Sequence, residues 1–152
     1  MTDSSLISRL ELVRRTRPGG GGKTERSFAD FEIDGLPLFD LMCSRGHDCI
    51  TPLGWGNTNL EAAALRRLRV EDERLMSGDR EPLYVCPECG DIGCGAVTAR
   101  IMADKGLVYW ADFGWETSWE DGPSTSGYED IGPFAFEFRS YRAALAQGGA
   151  WP

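Results

Sequence analysis

Three cysteines, Cys86, Cys89 and Cys94, fall within nine residues of the stretch L-Y-V-C-P-E-C-G-D-I-G-C-G-A-V-T-A-R-I, which runs from Leu83 to Ile101. Apolar runs flank them on both sides. Leu83 to Val85 enters the bend as a short strand, and Ala96 to Met102 leaves it with Val97, Ala99 and Ile101 alternating against Thr98 and Arg100. A period of two is the mark of a strand with one buried face. Lys105-Gly106 then turns the chain into Leu107 to Phe113, where Val108 and Trp110 face opposite Leu107 and Tyr109. Three consecutive antiparallel strands therefore form a meander around the cysteine turn. With two or three short helices beside it, the expected fold is a single α+β domain over residues 1–152.

The remaining segments fill in that plan. Leu6 to Arg14 alternates loosely, as a strand or a short helix, until Gly19 to Gly22 breaks it, so a flexible glycine-rich loop is expected at about 17–25. Phe28 to Asp34 puts Phe31 and Ile33 on one face and ends in the turn dipeptide Asp34-Gly35, before a short apolar helix or turn from Leu36 to Met42. Thr58-Asn59-Leu60-Glu61 has the spacing of a capping box. The helix it starts carries Leu60, Ala64, Leu65 and Leu68 inward to about Val70, with Arg66, Arg67 and Arg69 largely off that stripe. Glu71 to Arg80 is polar, and Glu116 to Gly132 is acidic and turn-rich. Phe134, Phe136 and Phe138 alternate as a strand, and Ser140 starts a helix through Ala146.

Composition narrows the function classes. A chain of 152 residues can bury a core without staples, and its 19 glycines and 8 prolines imply many loops. A net charge of −8 repels phosphate backbones and anionic lipids, which argues against nucleic acid and membranes as partners and favours a basic protein. The first residues lack a continuous apolar segment, and no run approaches about eighteen apolar residues, so a cytoplasmic protein is expected. Five cysteines suit reduced thiols or metal ligands better than a disulfide framework. The run R-P-G-G-G-G-K-T imitates a phosphate-binding loop only at its end. Arg17 stands where the first glycine belongs, and a strand follows where a helix is needed.

Three chemistries fit the cysteine turn. Cys86-Pro87-Glu88-Cys89-Gly90 has zinc-knuckle spacing, with Cys94 as a third ligand for Zn2+ and Cys43, His47, Cys49, Asp91 or water as the fourth. A Cys-x-x-Cys pair also supports reversible disulfide chemistry, although Glu88 lies inside the motif and no βαβ pattern surrounds it. In the third reading, small cysteines pack inward as weak hydrophobes in a glycine-rich turn. His47, the single histidine, lies near Ser44, Asp48 and Cys49, but neither a base geometry nor an oxyanion site is legible from sequence.

Tyr84 to Thr98, Y-V-C-P-E-C-G-D-I-G-C-G-A-V-T, followed by Trp110-Ala111-Asp112-Phe113-Gly114, resembles a family of small uncharacterised bacterial proteins, mostly actinobacterial, over roughly residues 28–145. The resemblance implies one domain type and brings no activity or residue role with it. Some members of that family carry an oxidoreductase label, and no cofactor fingerprint accompanies it in this chain.

Trp115, Glu116, Trp119, Glu120, Asp121 and Tyr128 combine aromatic anchors with carboxylates and are the candidate partner-binding residues. Solvated acids beside aromatics that cover the open face of the meander are the plainer reading of the same segment. The leading expectation is a non-enzymatic, acidic, cytoplasmic protein-binding module of the kind used by immunity proteins against basic toxins, with a structural zinc in its cysteine turn. The competing one is a thiol- or metal-dependent enzyme, oxidoreductase-like, centred on Cys86, Cys89 and Cys94.

Overall fold

A computed structural model describes residues 7–43, 48–70, 80–119 and 121–146. Among them are eight strands in two sheets and three α-helices, mostly antiparallel, as expected of an α+β chain. β1 (Ile7–Ser8) is a two-residue strand. β2 (Leu10–Arg17) pairs along its whole length with β3 (Arg26–Ile33), from Leu10 opposite Ile33 to Arg17 opposite Arg26. Of the segment left open between strand and helix, Leu6 lies outside the described residues and the rest resolves as strand in β1 and β2, because Leu10 and Leu12 then reach the core while Glu11 stays outside. Between these strands Gly20 and Lys23 exchange backbone hydrogen bonds of 3.0 and 3.1 Å and close a hairpin. Asp34-Gly35 turns the chain as expected into β4 (Leu36–Pro37) and α1 (Leu38–Cys43).

α2 (Thr58–Leu68) begins at a different cap from the expected one. Asn57, not Thr58, is the N-cap, and its Oδ1 accepts from the Leu60 amide at 3.1 Å. Glu61 reaches past the helix start to accept from the Gly54 amide at 2.6 Å. Ala64, Leu65 and Leu68 are buried as the stripe requires. Arg67 corrects the reading of the polar face: it is buried too, its Nε 3.3 Å from a carboxylate oxygen of Glu81. Lying three residues after Ala64, it falls on the core side.

The second sheet runs in the order β1-β8-β7-β6-β5 and contains the expected meander, β5 (Arg80–Tyr84), β6 (Ala96–Asp104) and β7 (Leu107–Glu116). β5 begins three residues earlier than Leu83, and Arg80, Glu81 and Pro82 are all buried within it. Proline is tolerated because β5 is an edge strand. The polar start of β5 is paired internally. Arg80 donates from Nε to Thr98 Oγ1 at 2.9 Å and from Nη2 to Thr98 O at 3.0 Å, and Nε lies 3.4 Å from Glu116. β8 (Phe134–Glu137) pairs antiparallel with β7 and parallel with β1. α3 (Phe138–Ala144) starts before Ser140, because Glu137 caps it by accepting from the Ser140 amide at 2.7 Å.

The two sheets meet at aromatic side chains. Phe31 of β3 stands edge-on to Trp110 of β7 at 5.1 Å and to Tyr84 of β5 at 6.0 Å. Tyr84 Oη donates to Asp30 Oδ1 at 2.6 Å, and Arg15 Nε and the Phe31 amide also donate to that carboxylate. Burial nevertheless dominates and pushes the Asp30 carboxyl above its ordinary range. Among the described residues, no helix is long and apolar enough to cross a membrane.

Removing the central ring should cost most. Phe31→Ala is expected to lower unfolding stability by about 3–5 kcal/mol in urea titration, because the ring is fully buried between the two sheets. A loss below about 1 kcal/mol would mean that the sheets do not depend on this contact.

Candidate metal centre

The cysteine turn is held at both ends by strands. Val85, the residue after β5, exchanges backbone hydrogen bonds of 3.0 and 2.7 Å with Ile50, and the Gly90 amide closes the bend onto Cys86 O at 2.8 Å. A 3₁₀ turn over Ile92–Cys94 then carries the chain into β6. The result brings Cys86, Cys89 and Cys94 together, with all three sulfurs within 4.8 Å of one another. Two glycines make this path possible. Gly90 has φ +72° and presses so closely on Leu60 that a Cβ would lie 2.7 Å from its Cδ2, while at Gly95, φ +118°, a Cβ would meet the Trp115 ring at 2.2 Å.

The spacing matches a thiolate metal site. Tetrahedral zinc with Zn–S bonds of about 2.3 Å holds its sulfurs about 3.8 Å apart, and the Cys89 and Cys94 sulfurs here are 3.4 Å apart. Cys89 and Cys94 are exposed and Cys86 partly so. None of these three, nor Cys49, forms a disulfide. The Asp91 amide points at Cys89 Sγ at 3.4 Å. Burial raises the Cys86 thiol, but the amides of Cys89 and Glu88 and the neighbouring thiols outweigh it, and the net shift is downward. Cys94 is pushed up to about 11, first by its hydrogen bond to Cys89, then by burial and by the adjacent sulfurs. Cys86 and Cys94 are thus shifted in opposite directions, because a charge on one sulfur disfavours a second beside it.

The candidate fourth ligands divide. Cys49 is buried in the core and does not join the group. Asp91 is exposed, its Oδ1 accepts from the Gly93 amide at 2.8 Å, and it too stands apart from the sulfurs. The Cys43 side chain and the whole of His47 lie outside the described residues. Among the described residues the set is three sulfurs with one position open.

A polar clasp that sequence reading missed fixes the turn from the other sheet. Glu88, inside the Cys-x-x-Cys motif, accepts from the Thr24 amide at 3.1 Å, from Thr24 Oγ1 at 2.8 Å and from Arg17 Nη1 at 2.8 Å. Arg17 is buried and also holds Asp48 through Nη2 at 2.6 Å. Arg26 donates to Pro87 O at 2.7 Å and to Glu88 O at 3.2 Å, with its guanidinium 4.3 Å from the centre of the Trp55 ring. The Thr24 amide, the Thr24 hydroxyl and Arg17 together hold the Glu88 carboxyl down to about 2. Glu88 was visible in the motif as a charge. Its partners lie more than sixty residues away in sequence, and no local pattern pairs them.

The candidate partner-binding residues do not share one surface. Glu116 and Tyr128 are buried, Glu116 against Arg80. Trp115 is half-buried with its ring over Gly95. Trp119 is 72% exposed, Asp121 is exposed, and Glu120 lies outside the described residues. Ser118 Oγ donates to Gly93 O at 3.3 Å, so the segment bearing Trp119 rests on the cysteine turn.

The clasp has a pH signature. A carboxyl held near 2 in the fold against an ordinary value of 4.5 contributes stability above pH 4.5, and that contribution is lost as pH falls towards 2. The stability difference between the wild type and Glu88→Gln, measured with chelator present, should therefore vanish on acidification through this window. A difference independent of pH would show that the carboxylate is not clasped.

No protein-family model, curated protein or solved structure matches this chain, and the chemistry of the thiols carries the functional argument.

Proposed function

We propose that the chain is a metal-thiolate protein in which Cys86, Cys89 and Cys94 bind one Zn2+ as a structural centre. The observation that carries this reading is the convergence of three sulfurs to within 4.8 Å at the end of a turn clasped by Arg17, Thr24 and Arg26. Packing alone does not account for it, because Cys89 and Cys94 face solvent and bury little apolar surface. Three thiolates crowded together repel one another, and a bound dication removes that repulsion while closing the bend. Zinc suits the set because it accepts sulfur ligands and tetrahedral geometry without redox change, and water completes the shell.

The metal would serve a binding role. Trp119 and Asp121 stand exposed on the segment anchored to the turn through Ser118, beside a chain of net charge −8. An exposed tryptophan with acidic neighbours fits a basic protein partner, the aromatic ring supplying contact energy and the charge speeding encounter. A zinc-stiffened turn lowers the ordering cost of that surface.

Protein purified without added metal should carry about one zinc per chain by elemental analysis, retain it in Cys49→Ala and lose it in Cys89→Ser. Chelation should lower the melting temperature by about 6–12 °C, which corresponds to roughly 3 kcal/mol of binding-linked stability in a chain of this size. Metal content near zero, with a melting temperature indifferent to chelator, would remove the metal reading.

A further inference from the structure

We infer that Cys89 and Cys94 form a peroxide-sensitive modification site, whose oxidation to a disulfide takes two of the three sulfurs away from the metal. The inference rests on the metal reading for its consequence and on the thiol geometry alone for its chemistry. The two sulfurs touch at 3.4 Å and both are exposed, so an oxidant of small size reaches either one without opening the fold. A disulfide needs about 2.05 Å between sulfurs, a closure available to side-chain rotation in a loop that contains Gly90, Gly93 and Gly95. Cys86 is partly buried and Cys49 is in the core, so an oxidant reaches both less readily than the exposed pair.

The chemistry balances with hydrogen peroxide as oxidant. The exposed Cys89 sulfur, which accepts from the Asp91 amide at 3.4 Å, attacks one peroxide oxygen. The S–O bond forms, the O–O bond breaks, and the leaving hydroxide takes a proton to become water. Cys94 sulfur then attacks the sulfenic sulfur of Cys89, the S–S bond forms, the S–O bond breaks, and a second water leaves. Two thiols are oxidised by two electrons and one peroxide is reduced to two waters. A single remaining thiol at Cys86 cannot hold zinc as a three-sulfur set does, and a reducing thiol reverses the step.

The turn is suited to survive this cycle. Its outer framework is the Arg17–Glu88 and Arg26–Pro87 clasp and the Val85–Ile50 backbone pair, none of which involves sulfur. Oxidation therefore changes the centre while the two sheets stay joined.

The test uses the full chain, zinc-loaded and zinc-free, treated with hydrogen peroxide. Peptide mapping should find the Cys89–Cys94 disulfide in both forms, and a colorimetric chelator should record loss of zinc in step with disulfide formation, reversed by dithiothreitol. Cys86→Ser should still form the Cys89–Cys94 disulfide, while adding Cys94→Ser to it should abolish that bond and leave a sulfenic acid at Cys89 trapped by dimedone. A zinc-loaded protein that keeps its metal, or whose disulfide maps to Cys86, overturns the inference and leaves the metal reading standing. A protein that binds no zinc yet forms the mapped disulfide overturns the metal reading and upholds the modification site.

Discussion

The contact of Phe31 with Trp110 and Tyr84 is the joint on which the rest of the molecule turns. The two sheets share no strand; these three rings with the Tyr84–Asp30 hydrogen bond join them within a larger buried cluster, and the segment 50–53 bridges them by backbone hydrogen bonds to Ala29 and Val85. Rings crossing edge to face are directional as well as apolar, and this sets β3 against β5 at a defined level. Both strands then run on to the site. β3 begins with Arg26, which holds the carbonyls of Pro87 and Glu88, and β5 ends one residue before the Val85–Ile50 pair that leads into Cys86. A slip at the joint would carry Arg26 and Glu88 out of reach of each other.

Polar burial around that joint follows one rule. Arg17, Arg67 and Arg80 are all nearly inaccessible, and each faces a carboxylate: Glu88 and Asp48, Glu81, and Glu116 respectively. Leaving a guanidinium buried without such a partner would cost more than the pair contributes, so these contacts specify arrangement before they add stability. The Glu88 clasp is the one that matters to the metal centre. It anchors the backbone of the turn from outside the sulfur cluster while Cys89 and Cys94 face solvent.

A three-sulfur cluster on a turn whose neighbouring segment carries an exposed tryptophan is the basis of both proposals for this site. In the proposed reading, a bound metal relieves the crowding of Cys86, Cys89 and Cys94 at the turn against which Ser118 rests, and oxidation of the outer pair takes two of its ligands away. The same proximity that makes zinc binding favourable makes disulfide formation easy, because both processes require sulfur atoms brought into contact.

Much of the fold was legible in order along the chain. The meander, the Asp34-Gly35 turn and the leucine face of α2 are written in local alternation and turn residues, which act over a few positions and need no distant partner. The cysteine spacing likewise announced a sulfur cluster, since the six intervening residues, Pro87, Glu88, Gly90, Asp91, Ile92 and Gly93, cannot keep Cys86, Cys89 and Cys94 far apart. Tertiary structure decided the rest. It placed Arg67, Arg80, Glu116 and Tyr128 inside although their chemistry reads as surface, moved the α2 cap to Asn57, and gave Glu88 its partners in Arg17 and Thr24. Each of these outcomes depends on groups far apart in sequence that meet only after the sheets pack, and the free energy of a buried charge is set by that neighbour rather than by the residue itself.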